Sequence, residues 1–338
     1  MTTKAPKIVV MGGGTGSFTL LQALKEITPS ITAVVNMCDD GGSTGILRDE
    51  LGVLPPGDAR QCLVALSEND EIRNLFSYRF SAGSLSGQSL GNIILSGLEL
   101  QHGSFETAVQ VASKILRIRG RVVPVALGPH KLALTDGDTQ VLGQHKIEHH
   151  SLVDPKARVR LEPASRVNPK AEQAIREADM VIIAPGSFYT SLLPVMSVNG
   201  VAEALQETQA TVVMVANLVN KPLHTKDWHI ADYVAKLSEY IGQGQVDTVL
   251  YNTEPIAKML LKKYAEDNEF PVRADQHGFT GCNVAVMGMP LVSNVVAAQD
   301  PADKAVRRTL IRHDPWKVKE CIEHLLVVTT AKNKPSKI

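Results

Sequence analysis

No apolar run in this 338-residue sequence approaches the roughly 20 residues that a membrane span needs. The amino-terminal MTTKAPK leads straight into IVVM, too short an apolar stretch for a secretory signal, so a cytoplasmic protein without an integral membrane segment is expected. Cysteine is sparse: Cys38, Cys62, Cys282 and Cys321 are scattered with no C-x-x-C pair, which argues for reduced, mostly buried thiols. Net charge is missing too, because 35 basic and 35 acidic residues cancel. No global field steers the chain to nucleic acid or an anionic membrane, and any anionic ligand needs a local site. Aromatics make up only 4% of the residues, leaving little stacking surface for a flavin-like ring. H-E-x-x-H, G-x-S-x-G and repeated Cys/His spacings are absent, so hydrolase and zinc readings have little support.

What the chain does have is alternation. Short β-branched runs such as KIVVM (7–11), ITAVVNMC (31–38), MVIIA (180–184), TVVMVANL (211–218) and NVAVMGM (283–289) alternate with helical patterns. That is the signature of βαβ units and a parallel sheet. The expected fold is α/β, a Rossmann-like, doubly wound, mostly parallel sheet with a helical insertion at about 58–120 and a small hairpin. The hairpin, turning at Asp136-Gly137, is expected to attach to the sheet edge. The chain reads as a single domain over 1–330 with a flexible tail at 331–338.

Three strand exits are rich in glycine or hydroxyls. The first, MGGGTGS, places Gly13, Gly14, Thr15, Gly16 and Ser17 where backbone amides at a helix N-terminus approach a phosphate. It departs from the dinucleotide fingerprint, which needs glycine at Ser17, and from Walker A, which needs Lys before Ser or Thr. A nicotinamide-dependent oxidoreductase therefore has weak support. The second, DDGGSTG, carries Asp39, Asp40, Gly41, Gly42 and Ser43. Asp39 lies 25 residues beyond Gly14, near the place of a ribose-binding acid in dinucleotide folds. The two acids suit a ribose diol, Mg²⁺ or a proton, and one of them has an N-cap or turn as its ordinary alternative. The third, PGSFYTS, carries Gly186, Ser187, Thr190 and Ser191. Convergence of the three favours an extended ligand bearing phosphates.

Around these exits stand further candidates. Arg48 and Arg60 are possible phosphate clamps with the solvated surface as the alternative. Asp58, after Pro-Pro-Gly, reads as the N-cap of its own helix. Asn92 in SLGNIILSG is either a buried structural amide or a ligand contact. Asn217 and Asn220 end another strand, and RRTLIRHDP gathers Arg307, Arg308, Arg312, His313 and Asp314.

Taken in order, GGGTGS, CDDGGSTGILRDELGVLPPGDARQCLVAL, SLGNIILSGLEL, ADMVIIAPGSFYTSLLP and IRHDP closely resemble the gluconeogenesis factor family (YvcK-type). That family lies within the superfamily of 2-phospho-L-lactate transferase (CofD), and the resemblance runs from about Lys7 to Leu326. It implies a regulatory protein that binds a nucleotide sugar, UDP-N-acetylglucosamine in particular, and controls cell shape and envelope synthesis during gluconeogenic growth. Under it the glycine amides hold the diphosphate, Asp39 or Asp40 the hydroxyls, and Arg312 the phosphates. No cofactor is firmly implied; if Mg²⁺ is used, Asp39 and Asp40 are its ligands. The transferase branch implies the alternative, Mg²⁺-dependent transfer of a phospholactyl-type group from a nucleoside diphosphate donor. Homodimerisation is the common behaviour of such proteins. Two departures stand out. NLVNKPLHT keeps Asn217, Pro222 and Thr225 but has Leu223 and His224 where the family has Gly and Glu, and Gln88 precedes SLGN where the family tends to have His. The first removes a flexible glycine and a carboxylate from the implied base pocket.

Overall fold

The computed structural model describes residues 5–274, 279, 284–295 and 310–331, with backbone alone at 329–331. Among the described residues ten strands form two sheets. They are β1 (Ile8–Gly12), β2 (Ile31–Val35), β3 (Arg121–Pro124), β4 (Lys131–Asp136), β5 (Thr139–Leu142), β6 (Arg158–Glu162), β7 (Met180–Ile183), β8 (Thr211–Val215), β9 (Thr248–Asn252) and β10 (Ala285–Met289). Seven make one sheet in the order β10-β9-β8-β7-β1-β2-β3, and every pairing in it is parallel. Parallel strands covered on both faces read as continuous apolar runs. Accordingly every residue of β1, β2, β7 and β8 is buried.

The order contains one reversal. The chain builds outward from β1 through β2 to β3, then returns to the other side of β1 with β7 and continues to β10. The crevice between the carboxyl ends of β1 and β7 is therefore the switch point at which α/β sheets bind ligands.

Helices cover the sheet. They are α1 (Gly14–Leu24), α2 (Gly42–Leu51), α3 (Gly57–Leu66), α4 (Asp70–Ser77), α5 (Leu90–His102), α6 (Phe105–Leu116), α7 (Gln144–Glu148), α8 (Pro169–Arg176), α9 (Leu193–Met196), α10 (Val201–Glu207), α11 (Ile230–Ile241), α12 (Lys258–Ala265) and α13 (Pro315–Ala331). Five of them, α2 to α6, lie between β2 and β3 in the chain. Leu20, Leu21, Leu24, Leu63, Leu66, Val318 and Ile322 bury α1, α3 and α13 in the core that contains the sheet. Each such side chain contributes about 1.5–3 kcal/mol of burial. None of the helices among the described residues is long and apolar enough to cross a membrane.

Three expectations need correcting. The Asp136-Gly137 hairpin does not attach to the main sheet: β4 pairs antiparallel with β5 and with β6 to make a separate three-stranded sheet. The alternating RVRLE of β6, with only Val159 and Leu161 buried, carries the period-2 signal for that third strand. The first glycine exit is mostly helix, since α1 starts at Gly14, and the second is the loop 36–41 followed directly by α2. Glycine caps at Gly13 and Gly41 hide both helix starts, because neither supplies the side-chain cap by which a sequence announces an N-terminus. The flexible-tail expectation falls almost wholly on 332–338, outside the described residues.

Candidate functional site

β1 and β7 end side by side, and their exits touch. A Cβ on Gly16 would overlap the carbonyl oxygen of Pro185, so only glycine lets the first turn of α1 meet the 185–187 loop. Gly186 lies against the Gly13 carbonyl from the other side. Thus Gly13, Gly14, Thr15 and Gly16 share one wall of the crevice with Gly186 and Ser187.

An acid fastens the glycine exit from below. The Gly14 N–H donates to Asp58 Oδ1 at 2.7 Å, and Asn36 Nδ2 donates to Asp58 Oδ2 at 3.2 Å. Asp58 is therefore not the cap of its own helix. Pro56 holds that position, and the Asp58 side chain crosses to α1. Asn36 in turn accepts the Cys38 N–H on its Oδ1 at 3.2 Å.

Asp39 faces the same spot. Its Oδ1 accepts the Gly41 N–H at 3.2 Å, the Thr44 hydroxyl also bonds it, and bare Gly57 leaves the space beside its other oxygen. Burial raises both acids above the usual carboxylate range; repulsion from Asp40 and Glu148 adds to this at Asp39, and repulsion from Asp39 adds to it at Asp58. Asp58 reaches about 7. The Cys38 thiol beside them is pushed to about 12 by burial and these acids, which makes it inert as a nucleophile.

Asp40 points elsewhere. Its Oδ2 accepts the Gln144 N–H at 2.9 Å and its Oδ1 the His145 N–H at 2.7 Å, so it caps α7. Arg48 stands 3.8 Å from Asp40 and donates to Asp49 at 2.8 Å. The acid coupled to Asp39 by repulsion is consequently Asp58, and Asp40 and Arg48 brace the wall. Among the described residues no group of three His, Cys, Asp or Glu forms a metal cluster. Two carboxylates nonetheless suit Mg²⁺, which binds through one or two carboxylates plus substrate phosphates and water.

Ser43 and Asn92 are joined by hydrogen bonds. Ser43 Oγ donates to Gln88 Oε1 at 2.7 Å and accepts from the Ser89 N–H and from Asn92 Nδ2. Asn92 Oδ1 accepts from Arg60 Nε at 2.8 Å, so both ends of its amide are used and Arg60 is tied to α5. Gln88, standing where the family tends to have His, is the partner that fixes Ser43.

On the β7 side a π turn, Phe188–Leu192, follows the exit. Thr190 is fully buried and donates to Ser187 Oγ at 2.6 Å, while Ser191 sits half-buried in the same turn. Asn217, past the end of β8, donates to the Gly186 carbonyl at 2.8 Å. Among the described residues its buried Oδ1 has no partner, and neither has the buried Ser17 Oγ beside Gly12. Such orphans are rare in native proteins. Arg312 is half-buried on the segment that His313 Nε2 fastens to the Ala216 carbonyl at 3.1 Å. Burial lowers His313 to about 4, so it is neutral there. Asp314 caps α13 through the Trp316 N–H at 2.9 Å, and Arg307 and Arg308 lie outside the described residues.

The departure at 223–224 has a definite structural result. His224 is buried against Tyr189 and its Nε2 bonds the Ile147 carbonyl of α7 at 2.9 Å. Burial holds its pKa below the ordinary histidine value. Leu223 is exposed and its carbonyl accepts the Leu152 N–H. A buried imidazole thus stands where the family resemblance implies a carboxylate. Sequence reading missed Asn36, Thr44 and the reach of Asp58. The signals were an Asn ending an apolar run and an acid inside the long LGVLPPGD motif.

Comparison with known proteins identifies the family and matches the fold. The family described as 2-phospho-L-lactate transferase CofD matches residues 8–292. The gluconeogenesis factor of Bacillus subtilis is 37% identical over 326 residues, covering 95% of this chain and 98% of that one. The gluconeogenesis factor of Halalkalibacterium halodurans is 38% identical, covering 94% and 96%. A crystal structure of a Bacillus halodurans protein superposes with a TM-score of 0.85 at 35% identity over 95% of this chain and 99% of that one. With matches of this extent, the chain belongs to the gluconeogenesis factor (YvcK-type) family, within the CofD superfamily.

Proposed function

We propose that the chain is a regulatory protein that binds a nucleotide sugar, UDP-N-acetylglucosamine or a close analogue, and governs cell shape and envelope synthesis during gluconeogenic growth. The observation that carries the proposal is the meeting of two glycine exits at the switch point, with Ser17 Oγ and Asn217 Oδ1 buried there and unpartnered. A diphosphate seated on the α1 N-terminus and the Gly186-Ser187 turn uses the amides and helix dipole. It also gives the Ser17 hydroxyl an acceptor, while Asn217 Oδ1, itself an acceptor, would take a hydroxyl or base N–H of the same ligand. Asp39 is placed to read sugar or ribose hydroxyls, and Arg312 supplies charge to the phosphates. The choice of uridine and of the amino sugar rests on the family resemblance and on relatives named gluconeogenesis factor.

A second reading, transfer of a phosphorylated group from a nucleoside diphosphate, is favoured by one observation, the two acids Asp39 and Asp58, both raised by burial and the second also by the first. That pair would hold Mg²⁺, which on binding neutralises a diphosphate leaving group. The glycine amides would position the donor, and one carboxylate of the pair would take up the acceptor hydroxyl's proton as its oxygen bonds to phosphorus and the nucleotide leaves with the broken P–O bond.

Calorimetric titration with UDP-N-acetylglucosamine, GDP and NAD, each with and without Mg²⁺, separates the readings. Selective binding of the UDP-sugar, weakened in Asp39→Asn and leaving the ligand intact by mass spectrometry, is the expected result. Preference for GDP with Mg²⁺ moves the function to the transferase, and no binding of any of the three sinks the crevice assignment.

A further inference from the structure

Outside the crevice, a cavity of about 540 Å³ opens between the three-stranded sheet and the helices α9 to α11. It is lined by none of the strand-exit residues, and its size falls in the range that buries small ligands. Apolar groups from Met196, Val198 and Ala202 supply part of its wall. The rest is polar and of mixed charge, with three cations, Lys156, Arg158 and Arg160, grouped on one side. Alternation along β6 buries Val159 and Leu161 and turns Arg158 and Arg160 to the cavity face.

Both guanidiniums are held in place. Arg158 lies over the Tyr240 ring at 5.0 Å and donates to the Glu239 carbonyl at 2.9 Å, while the Tyr240 hydroxyl accepts the Val159 N–H at 2.8 Å. Arg160 donates to Thr135 Oγ1 at 2.9 Å and to Glu162 at 3.1 Å. Lys156 completes the group; its ammonium has no hydrogen-bond or ion-pair partner among the described residues. Asp154 and Glu203 are the lining acids, which leaves three cations against two anions. Ordering arginine side chains costs conformational entropy, and these two are already ordered without a ligand.

We propose that this cavity is a second ligand site, distinct from the crevice, that takes a small phosphorylated metabolite with a compact apolar or aromatic body. The phosphoryl oxygens meet Lys156 and Arg160, since planar guanidinium matches phosphate geometry. The body lies between the outer face of the Arg158 guanidinium and the apolar wall. This site stands independently of what the crevice binds.

Phenyl phosphate is the probe, titrated calorimetrically into the full chain, with inorganic phosphate and benzoate as companions. Saturable binding of phenyl phosphate, stronger than either companion, is expected. Affinity should fall about tenfold or more in the Lys156→Glu/Arg160→Glu double variant, the loss of one or two charge-assisted bonds. It should survive in Lys156→Arg and in the crevice variant Asp39→Asn. Lys156 and Arg160 are exposed, so an unchanged unfolding midpoint will show that the double variant is folded. Unchanged binding in the double variant, loss in Asp39→Asn, or no saturation by about 10 mM would overturn the site. Benzoate binding as tightly as phenyl phosphate would overturn the phosphoryl assignment.

Discussion

The crevice floor and the α7 clasp start from adjacent residues, Asp39 and Asp40, and use their carboxylates in opposite ways. Asp40 gives each oxygen a backbone N–H from the start of α7 and has Arg48 nearby. Its charge is matched by donors and serves to hold one part of the fold against another. Asp39 is beside a second buried acid, Asp58, and the donors around the pair are too few to offset burial and repulsion. A carboxylate with enough donors is architecture. A pair with too few keeps a proton near neutrality and is ready to exchange it for a cation or a ligand hydroxyl. Position in the sequence does not separate the two roles; the surrounding donors do.

The largest expected effect lies at the contact that closes the floor. Gly16→Ala drives a methyl into the Pro185 carbonyl, which is backbone and cannot rotate away. Overpacking of this kind costs about 1–3 kcal/mol or more, and it separates the β1 and β7 exits, so crevice ligand binding should be lost together with stability. Urea unfolding and the calorimetric titration read both. A variant with wild-type stability and binding would show that the exits are not held together. The clasp should respond differently. Asp40→Ala leaves two amides of α7 unmet, one of them on buried Gln144, and should cost about 2 kcal/mol. Asp39→Asn should cost much less stability and far more affinity. If the two substitutions destabilise equally, the division between floor and clasp fails.

Much of this arrangement was legible in the sequence. Buried strands in parallel sheets are uniformly apolar, so MVIIA and TVVMV announced themselves, and glycine at strand ends marked the crevice walls. What stayed hidden was long-range. Nothing in DDGGSTG tells which acid turns toward residues 144 and 145, because the partner is more than 100 residues away and offers only backbone N–H groups. Asp58 after Pro-Pro-Gly fits a local cap equally well, and only packing of α3 against α1 brings it to Gly14. Five-residue α7 is too short for a readable period, and although β6 alternates, only its long-range pairing with β4 takes the hairpin off the main sheet edge.

The smallest effect tests the floor most directly. Asp58 in the folded chain holds its proton to about pH 7, whereas in the unfolded chain it releases it near the ordinary carboxylate value of 3.8. Between those values the folded state binds more protons, so this group's contribution to stability is fully present below about pH 4 and is lost as pH rises toward 7. Asp58→Asn removes that dependence. It also adds a constant cost, because its amide nitrogen meets Asn36 Nδ2, whose own oxygen is already committed to the Cys38 N–H. The absolute stability of the variant is therefore not the diagnostic quantity. The difference between variant and wild type across pH 5 to 7 is, and it should move in the variant's favour by on the order of 1–2 kcal/mol as pH rises. Repulsion from Asp39 makes the two acids titrate together, so Asp39→Asn should flatten the same profile partway. Parallel profiles for all three proteins would mean that the floor carries its charges as comfortably as the clasp does.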